Sequence, residues 1–207
     1  MVRDQIQARG LRDPELLRAF SVVPRHLFVT SFDPYGDHAL PVGVGQTISQ
    51  PYVVAAMTHL ASPPEGWRGA RALEVGTGSG YQAAILAELG AEVVSIERHG
   101  ELAAEAKARL ADAGYADRVT VIVGDGTRGW TEGAPYRSIL VTAAGPSVPQ
   151  PLLEQLDQAG GRLVMPVGTR EHQLLTLIER QGSELISHDL DPVVFVPLIG
   201  EFGFSSD

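Results

Sequence analysis

The sequence predicts a doubly wound α/β fold, a mostly parallel sheet with helices on both faces, from three observations. From Arg71 onward, short apolar runs alternate with helix-length ones: RALEV, YQAAILAEL, EVVSIE, ELAAEAKARLADAG, RVTVIVGD, RSILVTAA, VPQPLLEQLDQ and GRLVMPVG. Strands of about five residues alternating with helices of about ten imply right-handed crossovers, and these build parallel sheets. A loop carrying Gly76, Gly78 and Gly80 joins the first of these strands to its helix. With 207 residues, 44% of them apolar, the chain can bury one substantial core.

The elements follow in order. Arg3 to Arg9 and Asp13 to Phe20 read as helices separated by Gly10, the second with Asp13 as N-cap and Pro14 in its first turn. Ser31 to Gly45 is rich in Gly, Pro and Asp and shows no period, so it reads as a long loop. It runs into GQTISQPYVVAAMTHLA, helical from about Pro51, and SPPEGWRG ends this layer. The expected organisation is one domain, with residues 1–66 a helical and loop extension and residues 67–207 the α/β core. After Gly168 the runs HQLLTLIER and ELISHDL, joined by QGS, read as an antiparallel hairpin at the C-terminal edge of the sheet. No internal repeat or low-complexity tract is present.

Composition narrows the chemistry. The 25 acidic against 16 basic residues give a formal charge of −9, which repels phosphate backbones, so neither nucleic acid nor a membrane is an expected partner. With no cysteine, disulfides, thiolate catalysis and cysteine-ligated zinc are excluded. The start, MVRDQIQARGLRD, alternates charges where a signal peptide needs an apolar stretch, and no run approaches the ~20 apolar residues of a membrane span. A soluble cytoplasmic protein, monomeric, is the expectation. The six histidines (His26, His38, His59, His99, His172 and His188) show no paired ligand spacing, and no metal site is expected.

In a sheet of this kind ligands lie at the carboxyl ends of the strands. The first such end carries Gly76, Thr77, Gly78, Ser79 and Gly80, but the third glycine of a dinucleotide fingerprint would fall at Tyr81. No Gly-Lys-Ser/Thr follows, which excludes a phosphate-binding P-loop. Glu74 at the strand end would repel a pyrophosphate and attract a cation. S-adenosylmethionine carries an ammonium and a sulfonium, and glycines permit the close backbone approach its small amino-acid tail needs. The second strand ends at Glu97, 21 residues after Gly76, a spacing at which an acid meets a ribose diol. The third ends in VGDGT, where Asp125 could accept a hydrogen bond from an adenine amino group. Singly, these are also an exposed strand-end charge, a turn former and a tight connection. Together, at three successive strand ends, they indicate an adenosine cofactor and a Rossmann-like methyltransferase sheet.

The absence of a base narrows the acceptor. Methyltransferases acting on DNA amines carry Asn/Asp-Pro-Pro-Tyr/Phe after the fourth strand, where this chain has Val141, Thr142, Ala143 and Ala144. The partial mimic Asp33-Pro34-Tyr35 lies in the early loop. Hydroxyl and amine acceptors need a base or a metal, whereas a carboxylate with a pKa of ~4 is already ionised and need only be aligned with the methyl donor.

These residues also carry a family resemblance. The chain resembles the protein-L-isoaspartate O-methyltransferases over nearly its full length, in ALPVGVGQTISQP at 39–51, ALEVGTGSGYQAAILAEL at 72–89, VTAAGPSVP at 141–149, RLVMPVG at 162–168 and FVPLIGEFGF at 195–204. The first and last segments are family-specific; the glycine loop belongs to a wider class. The resemblance implies methylation of the abnormal carboxylate of isoaspartyl residues in damaged proteins, the ester then closing to a succinimide that hydrolyses partly to aspartate. Carried over, it implies Ser49 as the active-site serine, with Gln46, Thr47 and Ile48 beside the cofactor. Glu74 to Gly80 cradle the methionine part, Glu97 takes the ribose, and Asp125 with Gly126 takes the adenine. Thr142, Ala143, Val196 and Pro197 are implied to face the substrate. Ser49 also stands where a helix start wants a capping hydroxyl, so both roles are open. Arg137 replaces an acid common in the family, and Gly145 an Ala or Pro. A related carboxylate methyltransferase acting on normal aspartate in a dedicated precursor peptide is the alternative, for which an added recognition domain would be expected.

Overall fold

The computed structural model describes Met1–Ser205; the last two residues of the expected 67–207 core lie outside it. A wide helical turn (Val2–Ile6) and a 3-10 turn (Gln7–Arg9) lead to α1 (Pro14–Val22), which Asp13 caps by accepting from the Glu15 and Leu16 amides. The aperiodic loop is shorter than the sequence suggests. It closes with a small antiparallel hairpin, β1 (Leu40–Gly43) and β2 (Gln46–Ile48), before α2 (Pro51–Leu60). Strands of three and four residues are too short to display a period, so this hairpin had no signal in the sequence.

The alternating region then folds as expected: β3 (Arg71–Val75), α3 (Tyr81–Glu88), β4 (Glu92–Glu97), α4 (Gly100–Asp112), β5 (Val119–Val123), β6 (Ser138–Val141), a single short helix α5 (Gln150–Glu154) and β7 (Ala159–Gly168). β8 (Gln173–Gln181) and β9 (Glu184–Val193) form the antiparallel hairpin. The seven strands lie in the order β5-β4-β3-β6-β7-β8-β9, parallel through β7 and antiparallel after it. The order reverses between β3 and β6, and a crevice opens there at the carboxyl ends.

Central β3 is buried from Ala72 to Val75, as a strand covered on both faces must be. α3 is buried from Tyr81 to Ala87, so it needs a second layer over it. The N-terminal segment supplies that layer: Phe20 and Phe28 pack edge-on against Tyr81, with ring centroids 6.2 and 5.6 Å apart. Residues 1–61 therefore share one apolar cluster with the sheet and α3. Among the described residues no helix is long and apolar enough to cross a membrane.

Candidate active site

The loop after β3 is held by the neighbouring strand ends. The amides of Gly76 and Thr77 donate to the Ile96 carbonyl at 2.8 and 3.3 Å, and the Gly78 amide donates to Glu97 Oε2 at 2.9 Å. Glu97 Oε1 accepts from the His99 amide at 3.0 Å, and the residue is only 4% exposed. Glu97 is thus no stray surface charge: it anchors the glycine loop and keeps lone pairs free towards the crevice. Gly76 has φ +95°, and a Cβ there would run into the Thr142 hydroxyl, which itself donates to the Gly76 carbonyl at 2.7 Å.

Glu74 lies beneath this loop with no exposed surface. Its Oε2 accepts from the Ser95 hydroxyl, and Ser95 is in turn 2.6 Å from the Thr77 hydroxyl. Burial pushes the Glu74 carboxyl up to about 8, the Ser95 bond works against that rise, and nearby Glu97 adds to it. Glu74 therefore holds a proton at neutral pH in the ligand-free cradle and does not stand as the fixed anion expected from the sequence. Its Oε1 is buried without a partner, on a small cavity that it lines with Thr47, Ile48, Ser49, Gly76 and Gly78. A buried carboxyl group with one oxygen unpaired under a glycine loop fits an ammonium-bearing ligand, whose arrival favours the ionised form.

A second cavity adjoins it, lined among others by Gln46, Glu97, Gly126, Ala143 and Pro197. Gly126 begins the 3-10 turn after β5, where Asp125 caps by accepting from the Thr127 amide at 2.9 Å. The Asp125 carboxylate also takes the Thr127 hydroxyl at 2.7 Å and the Glu201 amide at 2.9 Å. Burial alone would raise its pKa, but these donors hold it below the usual carboxylate range. Three of roughly four acceptor sites are thus engaged within the chain, and Asp125 shapes this second cavity chiefly by joining the turn after β5 to Glu201.

Beyond the cofactor cavities a groove of about 1000 Å³ runs between the start of α2 and the ends of β7, β8 and β9. Thr47, Ser49, Thr142 and Val196 line both this groove and a cofactor cavity, so the compartments meet there. Ala143 and Pro197 fall on the cofactor side only, because residues 196–198 bridge to Ala144 (Ala144 amide to Val196 carbonyl, 2.8 Å) and carry Pro197 away from the groove. Ser49 is not the cap of α2. That position belongs to Gln50, whose side chain makes no capping bond, while Asp37 reaches back to accept from the Tyr52 amide at 3.0 Å. Asp37 also pairs with Arg9 at 3.0 Å, and the Arg9 guanidinium lies 3.4 Å from the centroid of the Tyr52 ring. Arg9 and Asp37 had no signal in the sequence, because their roles depend on contacts 28 and 15 residues away.

Neither departure lines the cavities around the glycine loop or the groove. Arg137 sits at the amino end of β6 and pairs with Asp157 at 3.5 Å. Gly145 is packed where a Cβ would come within 3.1 Å of the Met165 methyl. A further cavity of about 1290 Å³ lies at the amino ends of the strands, away from the groove and the glycine loop, and its walls hold the Arg18–Glu88 ion pair.

A sheet of this winding, with a glycine loop after β3, a carboxylate at the end of β4 and beneath it a buried acid with one oxygen unpaired, defines the class of α/β transferases that use S-adenosylmethionine. Comparison with known proteins fixes the branch. The sequence model of the family described as Protein-L-isoaspartate(D-aspartate) O-methyltransferase (PCMT) matches residues 1–203, and the chain belongs to that family. It is 54% identical to the Protein-L-isoaspartate O-methyltransferase of Methanoregula boonei, over 100% of this chain and 94% of that one. Against the protein of the same name from Methanospirillum hungatei the identity is 51%, over 100% and 95%. The fold matches a Plasmodium falciparum crystal structure, described as a PCMT in complex with S-adenosyl-L-homocysteine, with a TM-score of 0.83 over 96% of both chains at 23% identity.

Proposed function

We infer that this chain carries the activity of its family, methylating the free carboxylate of L-isoaspartyl residues in peptides and proteins with S-adenosylmethionine as donor. One observation carries this reading beyond the family match. Where the peptide-sized groove meets the cofactor cavities, the shared residues are Thr47, Ser49, Thr142 and Val196, none of which can act as a general base at neutral pH. Such a junction suits an acceptor that arrives ionised.

When bound, S-adenosylmethionine would supply a methyl carbon open to attack by a carboxylate oxygen, the S–CH3 bond breaking as the O–CH3 bond forms and the sulfur leaving as the neutral thioether of S-adenosylhomocysteine. The protein's part is placement. Glu74 and the Gly76–Gly80 loop receive the amino-acid end, Glu97 the ribose, and the cavity bordered by Gly126 and Ile199 the adenine. Ser49, half-buried at the junction, donates its hydroxyl to the incoming carboxylate and orients it. The apolar groove wall of Leu174, Val193 and Phe195 excludes water from the ion pair formed by acceptor and donor. In the isoaspartyl linkage the chain continues through the β-carbonyl, so the free carboxylate is displaced relative to the backbone. Matched isoaspartyl and aspartyl peptides test the reading. The isoaspartyl member should be methylated and the aspartyl member hardly at all, and equal rates would overturn it.

A further inference from the structure

Arg25 follows Pro24 in a 3-10 turn (Arg25–Leu27) and has no exposed surface. Among the described residues it forms no ion pair. Its Nε donates to the Pro34 carbonyl at 2.8 Å, its Nη2 donates to the Ser49 carbonyl at 2.7 Å, and among the described residues Nη1 has no hydrogen-bond partner. The guanidinium carbon lies 4.9 Å from the centroid of the Tyr81 ring. Tyr81 opens α3 directly after Gly80 and lines the cavity beneath the glycine loop. A single buried side chain thus touches the loop before β1, the backbone of the acceptor serine and the first residue of the cofactor-side helix.

A cation buried without a carboxylate is costly, and packing alone would be served better by an apolar side chain of similar volume. A guanidinium offers a planar fork whose donors reach two carbonyls at once while its face lies on an aromatic ring. Arg25 lines neither the groove nor the two cofactor cavities, so it touches neither ligand. What it fixes is the relation between them. We propose that Arg25 is a positioning residue for methyl transfer: by tying the Ser49 carbonyl to the Pro34 loop over the Tyr81 ring, it sets the separation of acceptor and methyl donor. The inference rests on the proposed activity, and because rate falls steeply with small misplacements, its signature is in turnover and not in affinity.

Two variants test it, with turnover counted per cofactor-binding site so that partly unfolded material does not count. Arg25→Lys keeps the charge but cannot bridge both carbonyls; Arg25→Met fills the volume without a buried charge. Both should lower kcat at least tenfold, with KM for an isoaspartyl peptide and calorimetric Kd for S-adenosylhomocysteine each within about threefold of the parent. Unchanged kcat, a loss confined to KM, or loss of all cofactor binding in both variants would overturn the proposal, the last by making Arg25 a folding determinant. A parent protein that fails to methylate isoaspartyl peptides would instead sink the functional reading, so the two failures are distinguishable.

Discussion

The cofactor side of the site and the acceptor side are held by different means. On the cofactor side, strand ends in register place Gly76, Glu97 and Gly126 within one crevice, and backbone amides close on neighbouring carbonyls and on Glu97. On the acceptor side, Thr47 and Ser49 leave a two-stranded hairpin that single long-range side chains hold: Arg25 on the Ser49 carbonyl and Asp37 on the Tyr52 amide. A sheet imposes its geometry on many residues together, so a cofactor cradle can be common to a whole class of enzymes. A segment held by individual side chains answers to each of them.

The division can be broken or sharpened in four ways. Glu97→Ala should have the largest effect. A hydrogen bond to a charged group is worth ~1.5–3 kcal/mol, so S-adenosylmethionine affinity should fall roughly tenfold to over a hundredfold by calorimetry. Because Glu97 also holds the Gly78 amide, the variant should melt earlier as well.

Next comes pH. An acid raised to about 8 in the fold keeps a proton that the unfolded chain loses near its ordinary value, so the ligand-free protein weakens as pH rises from about 4.5 and levels off above 8. Melting curves from pH 5 to 9 should show this slope in the parent and lose it in Glu74→Gln. Binding of a cationic cofactor favours the ionised acid, so affinity should rise roughly tenfold from pH 6 to 7 and flatten beyond 8. Calorimetry in buffers of different ionisation heat should register the released proton.

Ser49→Ala should lower kcat about tenfold, a value consistent with lost alignment of the acceptor. Cofactor affinity and melting temperature should hardly move, since Gln50 occupies the cap position. Combined with Glu97→Ala, the losses in kcat/KM should add within ~0.5 kcal/mol if the two sides act independently. A strong coupling would erase the distinction between them.

The smallest effect is expected at the hairpin tip, where Val44 sits at φ +50° between two left-handed glycines. A β-branched residue in that region is strained, so Val44→Asn should stabilise the fold by about 1 kcal/mol in denaturant titration.

The same contrast explains what the sequence made legible. Period and spacing reported β3 to β9 and put Glu74, Glu97 and Asp125 at strand ends, because regular elements repeat their constraints along the chain. They did not report that Glu74 is neutral when unliganded, since that depends on depth of burial and the company of Ser95 and Glu97. Nor did they rule out capping at Ser49, since the amide that a cap would satisfy is taken by Asp37 from across the loop. The β1–β2 hairpin and Arg25 had no pattern to show; their meaning lies in contacts that form only when the chain is folded.

Asp125 carries one more consequence. Its carboxylate is met by the Glu201 amide, the Phe202 amide donates to the Thr127 hydroxyl at 3.2 Å, and Arg128 pairs with Glu201. This side of the cradle is therefore closed by residues made 75 positions after the turn that opens it. During synthesis the chain emerges from its amino end, so the acceptor segment and the glycine loop are in place while this wall is still missing. A nascent chain halted before Gly200 would display the acceptor segment with an open cofactor cradle, and methyl transfer must wait until residues 201 and 202 have emerged.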